Sequence, residues 1–293
     1  AATPVLAESE ERELAFDVGG ASTLGAPDRR GAYHARFSNR GARLLSLDLA
    51  DYVRAVGLDE KQRRDPANWL PLVESVETAT GRTGSLVWDT RQSSQALAPG
   101  GLAQALWQME ALAAPEVGVR FRYSPPEGQV VFEKKVVFEP DTWHLRLTLS
   151  IQNVSAGAPK KLGFALLPAS VLPAELGDNF YAEPSAVAIG RAGPKEPYTG
   201  THQSAPGLKA ADALDAPTPL TALGLYNKYF AFLLREAKEG GGSLSAARYE
   251  PVHESSATPR PLMSLEASVS LDLPPEGETR SWEYVVYAGP KDP

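Results

Sequence analysis

From Trp143 to Ile151 the chain alternates without a break: Trp143, Leu145, Leu147, Leu149 and Ile151 are separated by His144, Arg146, Thr148 and Ser150. Successive side chains of an extended strand point to opposite faces, so only a strand gathers all five apolar groups on one side. A helix would scatter them around its circumference. The segment therefore demands a sheet with one face buried and the other in water.

The same period recurs on both sides. Val117, Val119, Phe121 and Tyr123 alternate before a turn at Pro125-Pro126-Glu127-Gly128, and Val130, Phe132, Val136 and Phe138 continue beyond it. Glu139-Pro140-Asp141 turns the chain into the long strand. Earlier, Tyr33, Ala35 and Phe37 lead to Asn39-Arg40-Gly41 and then to Leu45, Leu47 and Leu49, a hairpin whose glycine suits positive φ. Later, Leu265, Ala267, Val269, Leu271 and Leu273 precede the turn Pro274-Pro275-Glu276-Gly277, followed by Trp282, Tyr284 and Val286. About a dozen strands with such turns and no fixed-period repeat predict an all-β, twisted two-sheet sandwich with short helices in its loops.

Other stretches are less regular. Residues 1–30 read as a tether, rich in Glu8, Glu10, Glu11 and Glu13, with Leu14–Val18 able to dock as an edge strand. Leu58–Trp69 suggests a short helix in a long loop, and Leu86, Val87 and Trp88 a short strand. Gly100–Ala113 fits a helix through Leu102, Leu106 and Met109, and a strand through Trp107, Met109 and Ala111. After Leu162, Phe164 and Leu166, a proline-rich excursion from Pro168 to Pro219 shows strand character only at Val187 and Ile189; such a stretch is where a domain carries its binding. Leu223–Leu234 reads as one buried strand, and Gly240–Gly242 as a loop.

Composition excludes several functions. Hydrophobic residues make up 43% of the 293, enough for a real core. A net charge of −7 disfavours nucleic acid and anionic lipid as partners. Without cysteine there is no disulfide scaffold, thiol nucleophile or usual structural zinc site. No apolar run approaches the ~20 residues of a membrane span; the longest, Leu162–Pro173, is interrupted by Pro168 and Ser170. The chain opens at Ala1 without the basic and hydrophobic regions of a signal peptide, as expected of a piece of something larger.

Catalytic signatures are scarce. His34, His144, His202 and His253 show no metal-ligand spacing; His144 and Arg146 occupy the polar face of a strand, and His202 and His253 read as solvated loop residues. No serine stands in a nucleophile elbow, and Gly240–Gly242 lacks the Lys-Ser/Thr pair of a phosphate cradle. Asn153-Val154-Ser155 marks a turn after a strand. The carboxylate pairs Glu8/Glu10 and Asp212/Asp215 are solvated, and Asp59, Glu60 and Asp65 cancel Arg63 and Arg64. Tyr226, Tyr229, Phe230 and Phe232 are assigned to core packing rather than to a groove for sugar or peptide. No catalytic, metal-binding or cofactor-binding residue is singled out.

Four stretches resemble a known family, the periplasmic domain of YidC, the bacterial Oxa-type membrane protein insertase. They are Asn39-Arg40-Gly41-Ala42 with Leu45, Leu47 and Tyr52; the meander from Val117 through Asp141-Thr142-Trp143 to Asn153; Gly224-Leu225-Tyr226-Asn227-Lys228-Tyr229-Phe230; and Tyr287-Ala288-Gly289-Pro290-Lys291. The chain departs from the family pattern at Ala222-Leu223-Gly224, where a tryptophan is usual, and near Arg235-Glu236, where a proline is. The resemblance implies a galactose-mutarotase-like β-supersandwich over residues 31–293, with a strand around Trp107. It also implies a full-length multi-pass inner-membrane protein with one transmembrane helix before Ala1 and five after Pro293. The domain would be non-catalytic and cofactor-free, with an accessory contact role toward Sec translocon subunits and nascent membrane proteins. The alternative is a sugar-active or carbohydrate-binding sandwich resembling aldose epimerases, whose chemistry needs a His acid and a Glu base across one concave face. His144 is the one histidine on a convincing strand.

Overall fold

The expected alternation becomes twenty strands in a computed structural model that describes residues 7–19, 31–55, 57–126, 128–154, 160–170, 172, 184–193, 195–205, 211–238, 243–253, 255 and 262–291. β1 (Glu13–Val18), β2 (Tyr33–Ser38), β3 (Arg43–Val53) and β4 (Trp69–Glu74) form a four-stranded sheet in that order. β5 (Glu77–Thr78) and β6 (Gly81–Arg82) make a small ribbon. Then come β7 (Val87–Thr90), β8 (Gln108–Ala111), β9 (Val117–Tyr123), β10 (Val130–Phe138), β11 (His144–Asn153) and β12 (Lys160–Ser170). The chain ends with β13 (Ser185–Gly190), β14 (Thr199–Ser204), β15 (Asp212–Leu214), β16 (Leu220–Tyr226), β17 (Phe230–Glu236), β18 (Leu244–Val252), β19 (Leu262–Leu273) and β20 (Thr279–Pro290). A nine-stranded sheet runs β14-β13-β16-β17-β20-β11-β10-β9-β8, and a five-stranded sheet runs β15-β18-β19-β12-β7.

One strand shows how these sheets stack. Phe132, Lys134, Val136 and Phe138 share a face of β10 and are all buried. At one end Phe138 meets Phe16, Tyr33 and Phe37 of the four-stranded sheet; at the other, Phe132 meets Trp88 and Phe164 of the five-stranded sheet. The nine-stranded sheet is therefore one layer. The four- and five-stranded sheets lie side by side as the other, joined by an isolated bridge between Leu44 and Ser85. The two-layer sandwich is the expected one, and its interior is one continuous apolar cluster.

Lys134 lies at the seam, fully buried in the phase that alternation reserves for the core. Its amine donates to the carbonyl of Ala42, in the β2–β3 turn, and to that of Leu86, just before β7. Both acceptors have left-handed backbone, φ 48° and 57°. Phe121 places its ring 5.6 Å from the amine. Burial, with the nearby Arg43 cation adding to it, pulls the Lys134 amine down to about 7. Arg43 is held in the same manner, by the carbonyls of Arg40 (2.7 Å), Ala103 (2.7 Å) and Arg82. The turn before it needs Gly41 at φ 65°, where a Cβ would lie 2.3 Å from the Ala103 carbonyl oxygen.

Two expectations need correction. Leu223–Leu234 is a hairpin and not one strand: the side-chain oxygen of Asn227 accepts from the backbone N–H of Tyr229 (2.9 Å) and of Phe230 (2.7 Å), which folds the run into β16 and β17. The excursion from Pro168 to Pro219 carries three strands where one was expected. β14 escapes the sequence because none of its residues is fully buried, so they have no apolar period; it exists through its ladder with β13. β15 is a three-residue edge on β18. Gly100–Ala113 holds β8, the strand option, directly after Trp107. The expected short helix is α1 (Glu60–Arg63), started by a reciprocal cap: Gln62 N–H donates to the Asp59 carboxylate at 2.8 Å, and Asp59 N–H to the Gln62 side chain at 2.9 Å. Gly240–Gly242 lies outside the described residues.

Candidate functional site

The four histidines lie on separate elements. His144 opens β11 and sets its ring edge-on against Tyr287 at 5.7 Å. His202 is exposed on β14, a strand rather than the expected loop, and His253 is exposed just after β18. His34 has the richest surroundings. On the face of the four-stranded sheet away from the core, Asp17, His34 and Asp48 stand side by side across β1, β2 and β3. The His34 Nδ1 is 2.8 Å from the Asp17 carboxylate. Burial pushes the Asp48 carboxyl up to about 6, against the smaller opposing pull of His34, Arg54 and Arg36. Among the described residues, no group of three or more His, Asp or Glu is arranged to hold a metal ion.

A cavity of about 310 Å³ opens where β13 leads toward β14, lined by Arg191, Tyr198, Leu220, Thr221, Arg235 and Glu236 among others. Tyr198 is 51% exposed, and the Arg191 guanidinium lies 4.8 Å over its ring. An amphipathic ring held by a cation at a sheet rim is the kind of anchor that protein contacts use. Glu236, in the lining, is no free base. Its carboxylate accepts from the N–H groups of Ser243 (2.6 Å) and Leu244 (3.1 Å) and from the Ser243 hydroxyl, and so ties β17 to the start of β18. That hydroxyl is 3.0 Å from the Tyr284 phenol, which burial raises well above its ordinary pKa. A second groove, about 380 Å³, runs past Thr78, Thr80, Arg82, Thr83, Glu250 and His253.

The aromatic candidates divide. Phe230 and Phe232 are core, Tyr226 is half-buried and Tyr229 is exposed. Lys228 sits 4.7 Å over the Tyr229 ring and Lys291 4.8 Å over that of Tyr226, which brings the third and fourth resembling stretches together at one end of the sandwich. The Lys291 N–H donates to the Tyr229 carbonyl at 2.7 Å.

With the sheets and these stretches in place, the comparison with known families is decisive: the profile of the YidC periplasmic domain matches residues 30–293. The chain belongs to that family. Membership puts it on the periplasmic side of a membrane protein, as a domain associated with an insertase. Among the described residues, no helix is long and apolar enough to cross a membrane. No curated protein sequence matched the chain. Among solved structures, the Slr1438 protein from Synechocystis sp. PCC 6803 is similar at a TM-score of 0.52 and 10% identity, covering 95% of this chain and 96% of that one. A galactose mutarotase related enzyme from Lactobacillus acidophilus is similar at a TM-score of 0.51 and 10% identity, covering 94% and 97%. These likenesses establish the galactose-mutarotase type of fold for this YidC periplasmic domain, and the fold alone.

Proposed function

We propose that the chain is the accessory, non-catalytic contact domain of an insertase that inserts and helps fold membrane proteins, alone or with the Sec translocon. In this reading it sits at the periplasmic face of the bacterial inner membrane, preceded by a tether within residues 1–30, of which residues 8–18 pack back onto the domain through β1 and the rim of β8. The full-length protein is multi-pass, and the domain touches translocon subunits and nascent membrane proteins through sheet rims. The family match over residues 30–293 carries the reading. The exposed Tyr198 and the exposed β14 support it. The test is complementation by a full-length gene lacking Ala32–Val286: insertion persists, reduced in rate, and complete loss would refute an accessory role.

The mutarotase-like fold supports a second reading, a sugar-active or carbohydrate-binding domain. The proton-transfer pair that epimerase chemistry needs is not assembled around His144, whose ring meets Tyr287, and Glu236 is taken up by backbone N–H groups. Calorimetric titration with galactose and glucose is expected to give no heat of binding; a saturable signal would favour this alternative.

A further inference from the structure

The rim of the nine-stranded sheet at β8 is closed by side chains and not by a strand. Residues 8–12 lie along it, pinned to the β2–β3 turn: Arg12 N–H donates to the Asn39 side chain at 2.8 Å, Asn39 N–H to the Arg12 carbonyl at 3.1 Å, and the Asn39 amide to Glu8 at 3.0 Å. Glu8 N–H donates to the Leu106 carbonyl at 3.1 Å. From this position the two side chains act as a substitute backbone. The Glu8 carboxylate accepts the N–H of Met109 at 3.1 Å, and the Arg12 guanidinium donates to the Met109 carbonyl. In an antiparallel ladder alternate residues send both backbone groups to the same side, so Met109 presents its pair outward and Ala111 presents its own in the same direction.

This closure is weakly held. Glu8 and Arg12 bind each other at 2.5 Å with 21% and 51% of their side chains exposed, and water screens an ion pair so placed, so that it holds the segment only weakly. A backbone strand would restore both hydrogen bonds at Met109 and add those at Ala111. Where the segment crosses the rim there is a cavity of about 300 Å³ whose lining includes Gln108, Glu110, Arg120 and Arg122. Arg120 is bound to Glu110 at 3.1 Å, Arg122 is 3.6 Å from Glu133, and the Nε atoms of both arginines are buried without a hydrogen-bond partner. With Glu8 and Arg12 withdrawn, the lining keeps two guanidiniums, one beside Glu110 and one beside Glu133, each with an Nε–H that an incoming carboxylate can take up. It complements a strand with acidic side chains on the outer face. A second copy of the chain would bring its own arginines to the same place.

We propose that Gln108–Ala111 is an acceptor edge for an extended acidic polypeptide segment, which adds to the nine-stranded sheet beyond β8, and that the Glu8–Arg12 segment is the plug it displaces. The proposal rests on the contact role given above and names a site for it. The experiment uses the full 293-residue chain and fluorescein-labelled ten-residue peptides of alternating valine with glutamate, or with lysine as control. E8A/R12A is expected to bind the glutamate peptide about two- to fivefold more tightly than the unmodified chain, with the milder E8Q in between. Adding R120E/R122E is expected to reverse the gain, and the lysine peptide to show none. Amide exchange is expected to slow at Met109 and Ala111 on binding. Equal affinity for folded E8A/R12A and the unmodified chain overturns the proposal, as does protection at Thr199–Ser204 instead, or dimerisation of E8A/R12A without peptide binding. Any of these leaves the complementation result unchanged, so failure of the plug and failure of the accessory role read out separately.

Discussion

Lys134 and Arg12 do the same chemistry in two places: each cation donates to backbone carbonyls that no strand reaches. At the seam, Lys134 is sealed in the core, its acceptors come from both sheets of the opposite layer, and the other charge felt there is the like-charged Arg43. At the rim, Arg12 is half-exposed beside Glu8, whose hydrogen bond raises its pKa and whose own pKa falls in return. Desolvation separates the two. In the dry seam, losing the cation strands two carbonyls, so the contact is a fixture. At the wet rim, water or another backbone takes over, so the contact is exchangeable.

The largest expected effect tests the fixture. Lys134→Ala should cost about 3–5 kcal/mol in urea unfolding, from the cavity and two orphaned carbonyls, whereas Lys134→Met fills the space and should cost about 1–3 kcal/mol. A methionine variant more stable than the parent would break the contrast, since the amine's burial would then outweigh its bonds. The pH dependence sharpens it. The folded amine titrates near 7 against an ordinary 10.5, so between those values the unfolded chain binds more protons than the folded one, and this group makes stability rise with pH. Unfolding at pH 7 and pH 9.5 should show that rise in the parent and not in Lys134→Met.

Asp48 is intermediate, partly covered on the outer face. Its folded value of about 6 lies above the ordinary 3.8, so the folded chain holds the proton longer and stability falls as pH rises from 4 to 6. Asp48→Asn should therefore gain at pH 7 relative to pH 4, by on the order of 1 kcal/mol after allowance for solvent. E8A/R12A at the rim should cost less than ~1 kcal/mol at any pH from 6 to 8. Smallest of all, Tyr198→Ala should change stability by no more than ~0.5 kcal/mol, measured by the same unfolding, because its ring lies mostly in solvent.

Legibility followed burial. β9, β10, β11, β19 and β20 were readable because each buries one face and leaves the other in water, which writes period two into the residues. β14 buries almost nothing and was missed, while β16 and β17 merged into one because both sides of Asn227 are apolar. Lys134 falls in the core phase of β10, between Phe132 and Val136, so the signal for a buried cation was present and was passed over. The closing of β8 by Glu8 and Arg12 left no local mark, since this acid and base four residues apart read as any solvated ion pair.

By itself the order of residues determined the strands that face a core, the turns between them, and hence a two-layer β sandwich, because side-chain alternation is a property of neighbouring residues. Tertiary structure alone decided what satisfies the backbone. The acceptors of Lys134 lie 92 and 48 residues away along the chain, and Glu8 reaches Met109 across 101 residues. Hydrogen-bond partners at such separations are set by which sheets meet, and that is fixed only when the layers close.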